Sequence, residues 1–301
     1  VVQPPALPMA EGAVGRALNR ALISRTVRRA AAQAGLRRPV VWASLPSAVP
    51  ALGALGEAAV VYYCGDDFGA LAGVDHAAAR AMEAELAARA DLILAASPAL
   101  AARFDPAKTH LLAHGVDLDL FATPAPVAPE LAGDDRPVAG FYGGLAPWID
   151  LQLVAATARL LPTWRFVLVG PAQTDLSALA GVPNIELPGA RPHAALPGFA
   201  QHWTAGIIPF RDTPQIRACN PLKLREYLAA GRPVVATDFP ALAPYRAAIA
   251  TAATAEAFAR ALEATRQDTP AAAAARRALV AGESWAARAA EAAALIDGLA
   301  A

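Results

Sequence analysis

The sequence predicts an α/β protein made of two doubly wound domains facing each other across a cleft. Three observations predict it. Short apolar runs alternate with longer helical stretches, the pattern of parallel strands joined by crossover helices. A Pro-rich stretch, Ala122-Thr123-Pro124-Ala125-Pro126-Val127-Ala128-Pro129, interrupts that alternation and reads as a domain connection. The length, 301 residues, suits two modest domains. A cleft between two such domains is lined by the carboxyl ends of their strands.

In the first half, strands are predicted at Val40–Ser44, Ala59–Tyr63, Asp91–Ala96 and His110–Ala113, and helices at Gly15–Gln33, Asp75–Arg89 and Pro98–Arg103. In the second half, strands are predicted at Val138–Tyr142, Arg165–Val169, Ile185–Leu187, Ala205–Ile208 and Pro233–Thr237. Helices there are predicted at Leu151–Leu160, Ala195–Ala200, Pro221–Ala230, Ala255–Ala264 and Ala271–Val280. A last helix over Trp285–Leu299 follows Ser284 as N-cap. The expected domains are residues 1–128 and 129–283, with a terminal helix over 284–301. Val1-Val2-Gln3-Pro4-Pro5 reads as the end of a strand entering a loop.

The densest chemistry lies in residues 220–237. Asn220 suits an N-cap and Pro221 the first helical position. Leu224, Tyr227 and Leu228 recur at i, i+3 and i+4 as a buried stripe, which leaves Lys223 and Glu226 on another face. Gly231 fits the C-cap, Pro233 prevents continuation, and Val234-Val235-Ala236 reads as a short buried strand. A helix N-terminus offers free N–H groups and partial positive charge, which suit a diphosphate. One turn later Glu226 offers two acceptor oxygens, which suit a ribose diol. By helix pattern alone, the same residues also describe an amphipathic surface helix with a Lys–Glu pair.

This segment resembles the donor-site helix of GT-B glycosyltransferases. It follows the N-P-x-K-x-x-E-Y-x-A-x-G-x-P-V-V pattern of the branch that builds bacterial polysaccharide and cell envelope. Further segments resemble the family in the same order, so the likeness covers nearly the whole chain. The resemblance implies two Rossmann-like domains, with a nucleotide-diphosphate sugar on the second and a saccharide or lipid-linked acceptor on the first. It implies that Glu226 binds the ribose. It also implies that Gly143, Gly144 and Lys223, with Asn220, Pro221 and Leu222 at the helix start, face the rest of the donor. Arg211 and Arg217, in the stretch before that helix, are candidates to stabilise a diphosphate leaving group through their planar forks, with loop solvation as the structural alternative. The nucleotide sugar, with UDP the expected nucleotide, is a co-substrate; no cofactor and no metal is called for. The final helix is expected to cross back onto the first domain. Against the family, the first strand–helix units of that domain are absent, which predicts a shortened N-terminal domain.

Gly140-Phe141-Tyr142-Gly143-Gly144-Leu145 follows a predicted strand, and paired glycines let backbone approach a ligand and expose N–H groups. They equally make a tight strand–helix turn, and the spacing is not G-x-G-x-x-G. By position the segment resembles the family's donor-facing glycine loop, with Trp148 and Asp150 after it. The basic residue that many relatives place after this turn is missing from Leu145-Ala146-Pro147-Trp148. Asn184–His193 resembles the strand and turn that contacts the nucleobase, with His193 otherwise a surface histidine. Retaining relatives often carry an acidic residue where this chain has Ala218.

Asp66 and Asp67, after Tyr62-Tyr63-Cys64-Gly65, are adjacent carboxylates at the end of a strand. They are candidates for the base that an inverting transfer needs near the acceptor hydroxyl, Asp66 the favoured one, with turn capping as the structural alternative. His114-Gly115-Val116-Asp117 with Phe121 resembles the N-G-V-D-x-x-x-F segment that closes the first domain, with His114 in place of Asn. Ser97 in Asp91–Pro98 is explained as an N-cap.

Charge is balanced, 26 basic against 26 acidic residues, so no broad polyanion field and no nucleic-acid partner is implied. No run of about 18 strongly apolar residues predicts a spanning helix. Arg16, Arg20, Arg25, Arg28 and Arg29 make the first helix basic, read as a solvated face or as a peripheral membrane contact. Cys64 and Cys219 lack metal-type spacing and point to a reducing, cytoplasmic setting, with the inner face of the membrane as an option. No G-x-S-x-G, H-E-x-x-H, Walker A or C-x-x-C pattern occurs, which disfavours hydrolase, metalloprotease and P-loop readings. Two rivals stand beside the transferase. A sugar-nucleotide epimerase of the same fold would turn over the nucleotide sugar without acceptor. A non-catalytic GT-B-like binding subunit would bind nucleotide weakly or not at all.

Overall fold

The computed structural model describes residues 1–6, 12–71 and 73–299. The chain divides into two compact units, Val1–Ala113 with Ala290–Ala301, and His114–Ala289.

The first unit runs α1 (Ala13–Gln33), β1 (Val40–Ala43), β2 (Ala59–Cys64), α2 (His76–Arg89), β3 (Leu92–Ala95), α3 (Pro98–Ala101) and β4 (Thr109–Leu111). Its four strands are parallel and in sequential order, β1-β2-β3-β4. β3 is buried along its whole length, as a central parallel strand must be. On the edge strand β1, Val40 and Trp42 are exposed. Asp75 caps α2 by accepting from the Ala77 and Ala78 N–H groups, and Ser97 caps α3 through Leu100. Val61, Leu92, Leu94 and Leu112 pack with Ala292 of the C-terminal segment.

The second unit runs α4 (Leu118–Ala122), β5 (Val138–Tyr142), α5 (Leu151–Leu160), β6 (Arg165–Val169), β7 (Ile185–Gly189), α6 (Leu196–Ala200) and β8 (Ala205–Ile208). It continues with α7 (Pro214–Ala218), α8 (Leu222–Ala229), β9 (Val234–Ala236), β10 (Ala250–Thr251), α9 (Ala255–Thr265), α10 (Pro270–Val280) and the start of α11 (Trp285–Asp297). Its six strands are parallel in the order β10-β9-β8-β5-β6-β7. The chain winds outward from β5 to β7, returns, and winds the other way from β8 to β10. The reversal between β5 and β8 is a topological switch point, where an open α/β sheet leaves a crevice at its carboxyl edge.

Close packing of aromatic rings on the strands fixes this sheet. A Cβ at Gly140 would lie 1.9 Å from the Trp203 ring, and one at Gly206 would lie 2.4 Å from the Tyr227 ring. Trp203 and Tyr227 are both buried there. The expected boundary in the Pro-rich stretch gives way to one between Ala113 and His114. The Pro-rich stretch is instead strapped within the second unit: the Gln201 amide donates to the Phe121 and Thr123 carbonyls and accepts from the Ala125 N–H. The capping expected of Ser284 is present, its hydroxyl accepting from Ala287 N–H at 3.0 Å.

Candidate functional site

The switch point gathers three pieces of chain: the glycine turn after β5, the loop after β8, and the first turn of α8. The order reversal parts the loops here, and the helix that follows presents its N-terminus to the gap. α8 ends as expected, at Gly231 with φ +75°. Gly231 N–H donates to Leu228 and Arg232 N–H to Tyr227, both at 2.9 Å, which is a Schellman cap.

The start of α8 differs from expectation. Pro221, not Asn220, is the N-cap residue, and no side chain caps the first turn. Asn220 is withdrawn from capping because its side-chain oxygen accepts from the Arg225 guanidinium, while its backbone carbonyl accepts from His114 Nδ1 at 2.8 Å. The leading N–H groups of α8 are thereby left for a ligand oxygen. Arg225, buried, also pairs with Glu283, whose carboxylate accepts from the Tyr245 hydroxyl at 2.7 Å. This network anchors α8 from behind.

Glu226 is 7% exposed. The Tyr142 hydroxyl donates to its Oε2 at 2.8 Å, and His193 Nε2 lies 3.3 Å from its Oε1. Burial, with the Glu226 charge adding, holds the Tyr142 hydroxyl well above the usual tyrosine range, so it stays protonated and donates. Phe121 stands edge-on to His193 and stacked on Tyr142. The carboxylate is therefore fixed on one side by Tyr142 and covered on the other by the 59%-exposed His193 side chain. His193 and Tyr142 are partners that sequence reasoning missed. Neither is adjacent in sequence to Glu226, and only the fold joins them.

Lys223 is partly exposed. Its Nζ lies 5.2 Å from the Phe141 ring centroid and 5.8 Å from that of Phe210. Desolvation pulls the ammonium below the usual lysine range, while the nearby Glu226 carboxylate acts in the opposite direction. Among the described residues, no carboxylate lies within ion-pair distance of it. A half-buried cation held by two ring faces, with no ion-pair partner among the described residues, is suited to take up an anion.

The paired glycines make room for this lysine. Gly143 has φ +131°, and a Cβ there would lie 2.6 Å from Lys223 Cε. A Cβ at Gly170, after β6, would fall 1.9 Å from the Gly143 carbonyl oxygen. Gly144 admits Gln173, whose Oε1 would lie 2.3 Å from an added Cβ. The glycine turn thus accommodates protein side chains, an internal role beyond the ligand approach expected of it.

The remaining expected residues are placed as follows. Leu222 opens α8 and is exposed. Arg211 is exposed, with its backbone N–H on the Trp148 carbonyl at 2.8 Å. Arg217 is held at the surface in a two-bond pair with Asp212, each at 2.6 Å. Asp66 and Asp67 lie in the first unit. Asp66 Oδ1 accepts from the Asp67 N–H at 2.8 Å; Asp67 accepts from Gly69 N–H at 3.1 Å and pairs with Arg103 at 3.0 Å. Arg103 also binds the buried Glu83, which accepts from the Tyr62 hydroxyl at 2.8 Å. Both aspartates thus make turn hydrogen bonds of the kind set against the base reading. Burial pushes the Cys64 thiol up to about 12, which makes it inert. Among the described residues, no three His, Cys, Asp or Glu side chains converge on a metal position.

Residues 136–268 match the family model for glycosyl transferases group 1. TuaH of Bacillus subtilis (strain 168), named for teichuronic acid biosynthesis as a glycosyltransferase, is 35% identical over 139 residues. That match takes in 44% of this chain and only 35% of TuaH, so the shared segment spans about a third of that relative. Among solved structures, Anabaena Alr3699/HepE in complex with UDP matches with a TM-score of 0.71 at 17% identity, over 93% of this chain and 84% of that one. Its complex with UDP and glucose matches at 0.69 and 16%, over 91% and 79%. Sucrose-phosphate synthase from Thermosynechococcus elongatus matches at 0.73 and 18%, over 99% and 82%. At such identities the structures speak to the fold: this chain has the GT-B fold, and its residues 136–268 are similar to the glycosyl transferases group 1 family.

Proposed function

We propose that the protein is a glycosyltransferase that moves a sugar from a nucleotide-diphosphate sugar to a saccharide or lipid-linked acceptor. The observation that carries this reading is the Lys223 ammonium, set between the Phe141 and Phe210 rings with no ion-pair carboxylate among the described residues, beside the uncapped start of α8. Glu226, one turn on, accepts the ribose hydroxyls, with Tyr142 orienting it. The diphosphate lies against Lys223 and the α8 N–H groups, with Arg211 and Arg217 at the rim. UDP is the expected nucleotide, and HepE, of the same fold, has been captured with UDP and with UDP-glucose.

In transfer, the bond between the sugar's anomeric carbon and the diphosphate oxygen breaks, and a bond to the acceptor oxygen forms. The negative charge that grows on the leaving diphosphate is stabilised by groups already in place, which is the costliest element of such a reaction to supply otherwise. No metal is needed in this reading, because the cation and helix N-terminus supply the charge. Asp66, with Asp67 as second candidate, takes the acceptor hydroxyl proton if the transfer inverts. A lipid-linked acceptor would set the reaction at the cytoplasmic face of a membrane.

The test is product analysis with each common nucleotide sugar, with and without a mixed pool of saccharide and lipid-linked acceptors. Acceptor-dependent release of free nucleotide diphosphate, matched by glycosylated acceptor, is the expected result. An epimerised nucleotide sugar formed without acceptor would assign an isomerase instead. Absence of nucleotide binding would assign a non-catalytic relative.

A further inference from the structure

We infer that His193 competes with the nucleotide's ribose for Glu226, holding the carboxylate until the sugar diol displaces it. The inference rests on the reading of Glu226 as the ribose acceptor. A carboxylate offers about four lone pairs and no proton, so every group that binds it must donate. The Tyr142 hydroxyl donates to Oε2 at 2.8 Å. His193 Nε2 lies 3.3 Å from Oε1 and is the ring nitrogen that must carry the proton there. A vicinal diol brings two donors, so it needs the oxygen that His193 holds. Tyr142 cannot give way, because it is buried with the Tyr227 and Trp203 ring centroids at 5.0 and 5.6 Å. The His193 side chain is 59% exposed. Of the two partners, only the histidine can turn out into solvent.

The loop that carries His193 does not have to move. Arg191 binds Glu130 through Nε at 2.8 Å and donates to the Pro188 and Ala190 carbonyls at 2.7 and 3.0 Å. The Ala195 N–H closes a turn onto the Pro192 carbonyl at 2.9 Å. A change of side-chain rotamer frees Oε1 and gives up only the edge-on contact with Phe121. Until then the histidine spares a buried oxygen from standing without a donor.

The charges around the ring set the sign of a pH effect. From α8 it faces Glu226, with Lys223 one turn earlier on the same helix. From α4 it meets Phe121, which does not titrate, and β5 brings the Tyr142 hydroxyl, which stays protonated. On its own loop, Arg191 is committed to Glu130. A histidine gains its charge between about pH 8 and pH 5. Once charged, it binds a carboxylate roughly twice as strongly. Acid should therefore tighten the hold on Glu226 and weaken nucleotide binding. A histidine that steadied the diphosphate instead would do the opposite, since its charge would attract the phosphates.

The experiment is calorimetric titration of UDP, GDP and ADP into the full chain and into His193→Ala, at about pH 8 and about pH 6. The His193 side chain is exposed, and matching melting curves establish that the variant is folded. At the higher pH, His193→Ala should bind the preferred nucleotide about threefold to tenfold more tightly than the parent, the strength of one hydrogen bond. At the lower pH the gain should reach about tenfold or more. Comparing variants at one pH cancels the ionisation of the nucleotide's own phosphate. In a Glu226→Gln background, the gain on removing the histidine should be the same at both pH values, because no carboxylate is left to hold its charge. Equal or weaker binding by His193→Ala, or a gain that shrinks in acid, overturns the inference and leaves the donor reading standing. So does an acid-dependent gain that survives Glu226→Gln. Binding of no nucleotide by either the parent or His193→Ala overturns both.

Discussion

Replacing Glu226 by Gln isolates the interaction on which the proposed donor recognition depends. Glu226 is buried, and the Tyr142 hydroxyl donates to its Oε2 at 2.8 Å. Glu226→Ala would orphan that buried hydroxyl and cost about 1–3 kcal/mol of stability, which confuses folding with binding. Gln keeps an acceptor for Tyr142, so the fold should lose no more than about 1 kcal/mol. What it removes is the negative charge and one of the two acceptors offered to the ribose diol. Hydrogen bonds to a charged group contribute about 1.5–3 kcal/mol net, so donor affinity should fall roughly tenfold to a hundredfold. Titration calorimetry with UDP and with 2′-deoxy-UDP makes the assay specific. In the parent, the deoxy analogue should bind more weakly; in Glu226→Gln, the difference between the two should shrink, because the pair shares one interaction. Equal affinity of the parent for both nucleotides, or parental UDP affinity in a folded Glu226→Gln, would remove Glu226 from the ribose site.

Three further outcomes are expected. Gly143→Ala should weaken nucleotide binding at least tenfold and lower the melting temperature, because φ is +131° and the new Cβ meets Lys223 Cε at 2.6 Å; an unchanged affinity in isothermal titration would argue against a lysine held in register by that turn. Burial holds His114 below the ordinary histidine value of 6.5, with Arg225 adding and the Asn220 carbonyl opposing. Below pH 6.5 the unfolded chain takes up a proton that the folded one refuses, so stability should fall as pH drops from about 7 to 5, and urea titrations of His114→Asn should show a flatter profile. Asp66→Asn and Asp67→Asn should retain nucleotide binding; loss of transfer in Asp66→Asn would support a base and inversion, and full activity in both would return the pair to turn-making.

Much of the fold was legible because its signals are local. Val138–Tyr142, Arg165–Val169, Ala205–Ile208 and Leu151–Leu160 are found where apolar runs and periodicity put them. Elements too short for a period escaped: α4 and α7 have five residues each and β10 only two. Their signals were the caps, Asp117 and Thr213, which accept from Leu120 and Ile216 N–H groups. The cap of α8 was misplaced because Asn220 is a good N-cap in isolation, and only the fold brings Arg225 onto its side chain. The Lys223 and Glu226 positions were legible from their spacing on α8. Their partners Tyr142, His193, Phe141 and Phe210 come from other elements and were not.

The most direct test is calorimetric titration of the parent and Lys223→Met with UDP, GDP, ADP and dTDP. Lys223 in the ligand-free fold sits below the usual lysine range, and a diphosphate beside it should pull it back up. One nucleotide should bind the parent clearly, with proton uptake in the alkaline range. Lys223→Met should lose both the uptake and at least tenfold in affinity. Binding of no nucleotide by the folded parent, or equal binding and proton uptake in Lys223→Met, would contradict the placement of a nucleotide-diphosphate donor at this switch point.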